Sequence, residues 1–220
     1  VQASLQSKRL PKKVLMKIGD VTILDRICLR VMETGREWVV SVPTEPDDDE
    51  LQSWCVVGGL PVVRVVKKRQ PYDLGSVVLA WAREDPDRVL PTRVVRVTAD
   101  CPFVDFACLP LLEKYVDLGA PAAATRTDLL PERGGLPAGF YLECFDRTLL
   151  NYSDGAPTWR GVLDMWQCAN TVIVQPSLHV EPGLSVTVDW WHDLEWARRV
   201  YDRAGDRYED IIKWWNTYRR

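Results

Sequence analysis

Val1-Gln2-Ala3-Ser4-Leu5-Gln6-Ser7-Lys8-Arg9-Leu10-Pro11-Lys12-Lys13-Val14-Leu15 opens the sequence. It reads as the end of a short strand, then a polar loop with Lys8, Arg9, Lys12 and Lys13, then a return to apolar residues. Basic side chains on a loop can neutralise phosphates, and loop N–H groups can cradle them. Arg9 and Lys13 are the candidates for that task. The same charges equally suit a solvated basic loop. A Walker loop is excluded, because G-x-x-x-x-G-K is absent. The segment starts on Val1 rather than Met and inside a strand-like run, which predicts residues upstream.

Outward from this segment, Val-rich runs predict strands at 94–98, 39–42, 62–66, 171–174 and 184–188. Such runs suit strands buried in a sheet. Between them, apolar residues at helical spacing predict helices at 23–32, 47–56, 74–83, 105–115, 193–204 and 208–218. Strands that alternate with helices imply an α/β domain, its mostly parallel sheet covered on both faces. The stretch 125–139, rich in Gly, Pro and charge, reads as a long surface loop or an insertion. No composition shift marks a boundary, so residues 1–220 are expected to form a single domain.

In such folds ligands bind beyond the carboxyl ends of the strands. Asp100 follows the run Val94-Val95-Arg96-Val97-Thr98, and Asp189 follows Leu184-Ser185-Val186-Thr187-Val188. Each carboxylate stands where it can project into the site. Two such groups can hold Mg²⁺, a hard cation often shared with substrate phosphates. The alternative is that both are ordinary turn or helix-cap residues.

The 220 residues are 46% hydrophobic and 27% charged, enough apolar side chain for a sizeable core. A net charge of -3 gives no global attraction to nucleic acid or to an anionic membrane. The cluster Lys67-Lys68-Arg69 lacks interleaved aromatics and reads as a solvated loop. No apolar run approaches the ~20 residues of a membrane span. Six scattered cysteines, none in C-x-x-C spacing, predict buried reduced thiols in a cytoplasmic protein. With two histidines in all, a His-rich metal centre and a serine-hydrolase triad are poorly supported.

The opening segment resembles the spore-coat polysaccharide type of cytidylyltransferase, kin of the acylneuraminate and Kdo cytidylyltransferases. That family opens on Q-A-R-x-G-S-x-R-L-P-x-K-V-L, matched here at Gln2, Ala3, Ser7, Arg9, Leu10, Pro11, Lys13, Val14 and Leu15. Its V-R-I-T-G-D-C-P-x-x-D is matched around Asp100, from Val95 to Pro102 and at Asp105. Its L-T-V-D-x-x-x-D-L-E is matched around Asp189, with Asp193, Leu194 and Glu195. Val40 to Asp48 is similar to its V-A-T-T-x-x-x-x-D. Stretches in register along nearly the whole chain turn the two aspartates from turn residues into site candidates.

The resemblance implies a nucleotide-diphosphosugar-transferase-like fold, a three-layer α/β sandwich with a mostly parallel mixed sheet. It implies transfer of CMP from CTP to a sugar or sugar-acid hydroxyl, with release of pyrophosphate. Asp100 and Asp189 would hold Mg²⁺, and Arg9 and Lys13 would bind the triphosphate. Gln2, Ala3, Ser7, Pro43, Thr44 and Arg96 would line the nucleotide side, and Glu143 and Arg160 the acceptor side. A homodimer is implied as well.

The chain also departs from the pattern. Ser4 stands for an arginine, Gln6 and Lys12 for glycines, and Ala99 for the glycine before Asp100. A side chain at Gln6 is expected to hinder close approach of the backbone to phosphate. Tyr141 replaces an acid in the stretch Gly139-Phe140-Tyr141-Leu142-Glu143, similar to a sugar-side G-x-D-x-E. Three readings therefore stand: an active cytidylyltransferase with an unusual acceptor, a glycosyltransferase or other nucleotide-sugar enzyme on a similar fold, and a non-catalytic member serving in binding or assembly.

Overall fold

The computed structural model of the protein describes residues 1–66, 74–125, 136–149, 172–174, 180 and 183–218. Lys67-Lys68-Arg69, Arg160, Cys168 and most of the loop expected at 125–139 lie outside them.

A two-stranded antiparallel hairpin, β1 (Lys17–Ile18) and β2 (Val21–Thr22), leads into α1 (Ile23–Glu33). The hydroxyl of Thr22 accepts from the Asp25 amide at 3.0 Å and so caps the helix. The helix buries Ile23, Leu24, Ile27, Cys28 and Val31, the stripe its spacing predicts. Next come β3 (Val40–Pro43), α2 (Asp49–Val57) and β4 (Val62–Val65), a βαβ unit with parallel register Val40↔Val62. Then follow α3 (Leu74–Arg83), β5 (Arg93–Arg96), α4 (Leu109–Asp117), β6 (Ala122–Ala124), β7 (Glu143–Asp146) and β8 (Val172–Ile173). Two packed helices, α5 (Trp191–Ala204) and α6 (Tyr208–Tyr218), close the chain.

The opening residues join two halves of the sheet. The Gln2 amide donates to Val97 O at 2.8 Å, and Ala99 N donates to Gln2 O at 2.9 Å. On the other edge, Ala3 N donates to Ser41 O at 3.1 Å. Both bridges are parallel, so Gln2 lies between β3 and the continuation of β5. Beyond β5 the order is β7, β6, β8, with β7 antiparallel to both neighbours and β6 parallel to β8. The sheet is therefore mixed.

Helices cover both faces. Alternation along the strands divides the apolar residues between them. Ala123 and Cys144 pack with Leu109, Leu112 and Val116 of α4 and with the core of α1, α2, α5 and α6. Their neighbours Ala122 and Phe145 point the other way, to Leu74 and Val78 of α3. This gives three layers.

Several boundaries differ from expectation. The helix expected from residue 105 starts at Leu109, because Asp105 instead turns back to accept from Ala107 N at 3.1 Å. The helix expected from 47 starts at Asp49, after a 3-10 turn over Pro46–Asp48. The strand expected at 184–188 forms no ladder. Its backbone bonds one segment and then another, Val186 N to Ala138 O and Val188 N to Asp100 O, both at 2.8 Å. Val186 and Val188 are nonetheless buried, as the pattern required. Among the described residues no helix is long and apolar enough to cross a membrane. Among the described residues no cysteine is in a disulfide; Cys28, Cys55, Cys101 and Cys144 are buried and Cys108 partly so. Burial pushes the Cys28 and Cys144 thiols up to about 12.

Candidate active site

At the carboxyl ends of the parallel strands the chain leaves Ala3 and forms a loop pinned by buried Leu5, Leu10 and Val14. Lys12 N donates to Leu5 O at 3.0 Å and closes it, and the Ser7 hydroxyl accepts from Leu10 N at 3.3 Å. The backbone N–H groups of Ser7, Lys8 and Arg9 make no hydrogen bond among the described residues. They are left for an external acceptor. A 3-10 turn over Lys13–Leu15 then carries the Lys13 side chain inward.

Four charged residues meet beside this loop. The Lys13 ammonium lies 2.9 Å from Asp189 and 3.4 Å from Asp100, and donates to Val188 O at 2.6 Å. Arg9 donates to the same Asp189 oxygen at 2.6 Å. The two aspartates are adjacent because Val188 N bonds Asp100 O, which aligns the residues that follow each run. Asp193 fixes the second one, its carboxylate accepting from Asp189 N at 3.0 Å and Trp190 N at 2.7 Å. Burial opposes ionisation of Asp100, but the Lys13 ammonium and bonds from Thr98 and Cys101 outweigh it. The carboxyl is held below its ordinary value. Among the described residues no cluster of three or more metal-ligating side chains exists. Two carboxylates are a partial ligand set, the kind completed by substrate phosphates and water.

The remaining predicted residues fall in two places. Pro43 is buried at the end of β3, and Thr44 is exposed beyond it with its amide on Val65 O at 3.0 Å. Gln2, Arg96 and Glu143 form one buried row: Arg96 donates to Gln2 Oε1 and to Glu143 Oε2, each at 2.6 Å. Glu143, expected beside the acceptor, is thus paired inside the sheet with Arg96, which was expected beside the nucleotide and which also holds Gln2. A cavity of about 450 Å³ against α3 is lined by Val77, Trp81 and Val95. It shares only Gln2 and Arg96 with the predicted set and holds none of the four charged residues.

Beside Arg9 stands Trp190, an exposed indole 5.8 Å from its guanidinium. Sequence reasoning gave no site role to Asp48, although that residue closes one of the matched stretches.

The family pattern described as Cytidylyltransferase matches residues 1–118, more than half of the chain. The chain belongs to the cytidylyltransferase family. It is 25% identical over 227 residues to the spore coat polysaccharide biosynthesis protein SpsF of Bacillus subtilis, covering 94% of this chain and 87% of that protein. Among solved structures, a cytidylyltransferase from Leptospira borgpetersenii superposes with a TM-score of 0.76 at 22% identity, covering 99% of this chain and 92% of the other. A CMP:2-keto-3-deoxy-manno-octonic acid synthetase, solved with CTP, superposes with a TM-score of 0.60 at 14% identity, covering 91% and 96%. Rv0371c of Mycobacterium tuberculosis, solved with manganese, superposes with a TM-score of 0.58 at 18% identity, covering 90% and 97%. The fold of this cytidylyltransferase is thus the nucleotidyltransferase sandwich that its sequence resembles.

Proposed function

We propose that this cytidylyltransferase moves CMP from CTP to a hydroxyl of a sugar or sugar acid. A bond forms between the acceptor oxygen and the α-phosphorus, the α–β phosphoanhydride bond breaks, and pyrophosphate leaves. The acceptor's hydroxyl proton passes to solvent or a basic group. The reaction needs in-line positioning and charge neutralisation more than a covalent nucleophile.

One observation carries this reading: Lys13 bridges Asp100 and Asp189, with Arg9 on the same oxygen, at the exit of a loop with free amides. The two cations are matched by the two carboxylates. A polyphosphate therefore needs further positive charge, and a divalent cation on Asp100 and Asp189 would supply it and polarise the phosphates. We assign that ion as Mg²⁺, held by hard carboxylate oxygens. With the carboxylates so engaged, Lys13 and Arg9 turn to the phosphates and stabilise the charge that grows on the leaving group. Ser7, Lys8 and Arg9 offer backbone N–H groups to the same oxygens. Gln2, Ala3, Pro43 and Thr44 border the base and ribose. Free thiols suit a reducing, cytoplasmic setting.

The test is thermal. CTP with Mg²⁺ is expected to raise the melting temperature, and Asp100→Ala to abolish the shift. Stabilisation by UTP or a nucleotide sugar instead would move the reading to a glycosyltransferase. No stabilisation by any nucleoside triphosphate at millimolar concentration would leave a binding or assembly role.

A further inference from the structure

Asp48 is fully buried, 0% exposed, yet no cation pairs with it among the described residues. A buried carboxylate is costly unless hydrogen bonds satisfy it. It stands at the N-cap of α2, where aspartate ordinarily bonds the first helical amides, but its side chain makes no cap bond. Its oxygens turn to the loop instead. Asp48 accepts from the Leu5 amide at 2.5 Å, from Gln6 Nε2 at 2.9 Å and from Ser4 Oγ at 3.2 Å. The Ser4 hydroxyl also accepts from Gln6 N at 3.1 Å. Two of these donors, Ser4 and Gln6, are the loop residues that depart from the family pattern.

We infer that Asp48 is a positioning residue that clamps the phosphate loop, and that Ser4 and Gln6 are the side chains through which it grips. The departures are a local solution rather than damage. Gln6 has no positive φ, so glycine is not required there. Its side chain turns away from the amide row and toward Asp48. With the Leu5 and Gln6 amides bonded inward, those of Ser7, Lys8 and Arg9 are the ones left facing outward. Asp48 acts through the loop and touches no reacting atom. The clamp is read from geometry alone; that the clamped loop serves a nucleotide rests on the function proposed above.

The experiment compares Gln6→Ala, Ser4→Ala and Asp48→Asn with the parent chain. It reads amide hydrogen exchange at Leu5 without ligand, CTP affinity by calorimetry with Mg²⁺, and ligand-free melting temperature. Gln6→Ala is expected to speed exchange at Leu5 and weaken CTP binding roughly three- to tenfold, the net scale of one ordinary hydrogen bond. A purely stabilising role would lower the ligand-free melting temperature and leave CTP affinity unchanged. In the Asp48→Asn background, Gln6→Ala should add little. Should Asp48→Asn fail to fold, the two loop variants still decide the matter. Unchanged Leu5 exchange in both loop variants overturns the clamp. Faster exchange with unchanged CTP affinity overturns the positioning role. If the parent binds no CTP, the proposed function fails, and exchange alone judges the clamp.

Discussion

At the scale of single residues, Gln6 and Lys12 look alike in the sequence, since each stands where glycine is expected. The structure separates them. Gln6 lies in ordinary backbone and gains a partner in Asp48. Lys12 is, among the described residues, the non-glycine residue found at positive φ, 57°, in the left-handed region. That conformation costs an ordinary residue roughly 1 kcal/mol or more. Lys12 also pairs with Glu50, both side chains more than half exposed, and such a pair adds little. Comparing Lys12→Gly with Lys12→Ala removes the pair in both and leaves the strain as the difference. The glycine variant is expected to melt higher than the alanine variant, by about 2–4 °C per kcal/mol in a chain of this size. Equal melting temperatures would remove the strain. The sequence marked the position correctly, because the need for glycine lies in the turn itself.

At the scale of elements, the site depends on how closely two segments pass. Gly139 has φ +99, and a Cβ there would lie 2.5 Å from Val186 C and 2.6 Å from Thr187 N. Those residues lead directly to Asp189. Neither segment can yield cheaply, because Val186 N bonds Ala138 O. Gly139→Ala is expected to destabilise by about 2 kcal/mol or more, from backbone strain and overpacking together. Thermal unfolding of the variant checks this, and an unchanged melting temperature would refute the close approach. The helices and the Val-rich strands were legible here because apolar spacing reports which face is buried. The segment 184–188 was legible in burial but not in pairing, since its partners lie at Ala138 and Asp100. Strands β6 and β7 were not among the expected Val-rich runs. Glu143-Cys144-Phe145-Asp146 is charged at both ends, and Glu143 is buried where Arg96 meets it from β5. Aromatic residues followed the same logic. Trp215 is core, while Trp214 and Tyr218 stack beside it at the surface.

At the scale of the whole molecule, the resemblance implies a homodimer. Exposed apolar residues on α4, Leu111 and Tyr115, and Leu118 just after it leave surface available for such a contact. Light scattering on the purified protein is expected to give about twice the 25.2 kDa of one chain. A mass equal to one chain would refute it.

The sequence by itself determined the α/β class and the helices, because both are written in apolar periodicity. Spacing alone left Asp100 and Asp189 as turn or cap residues, and it was the family resemblance that singled them out with Arg9 and Lys13. Only the tertiary structure decided that Lys13 joins the two aspartates across 87 and 176 residues of chain. It also decided that Glu143 turns inward, that β7 runs antiparallel, and that Asp48 holds the loop instead of capping its own helix. A buried charge takes whichever donors the fold brings within reach, and those donors lie far away in the chain. For that reason the opening segment, Val1 to Leu15, carries its chemistry in its own residues, while its shape is set by an aspartate that its own sequence does not contain.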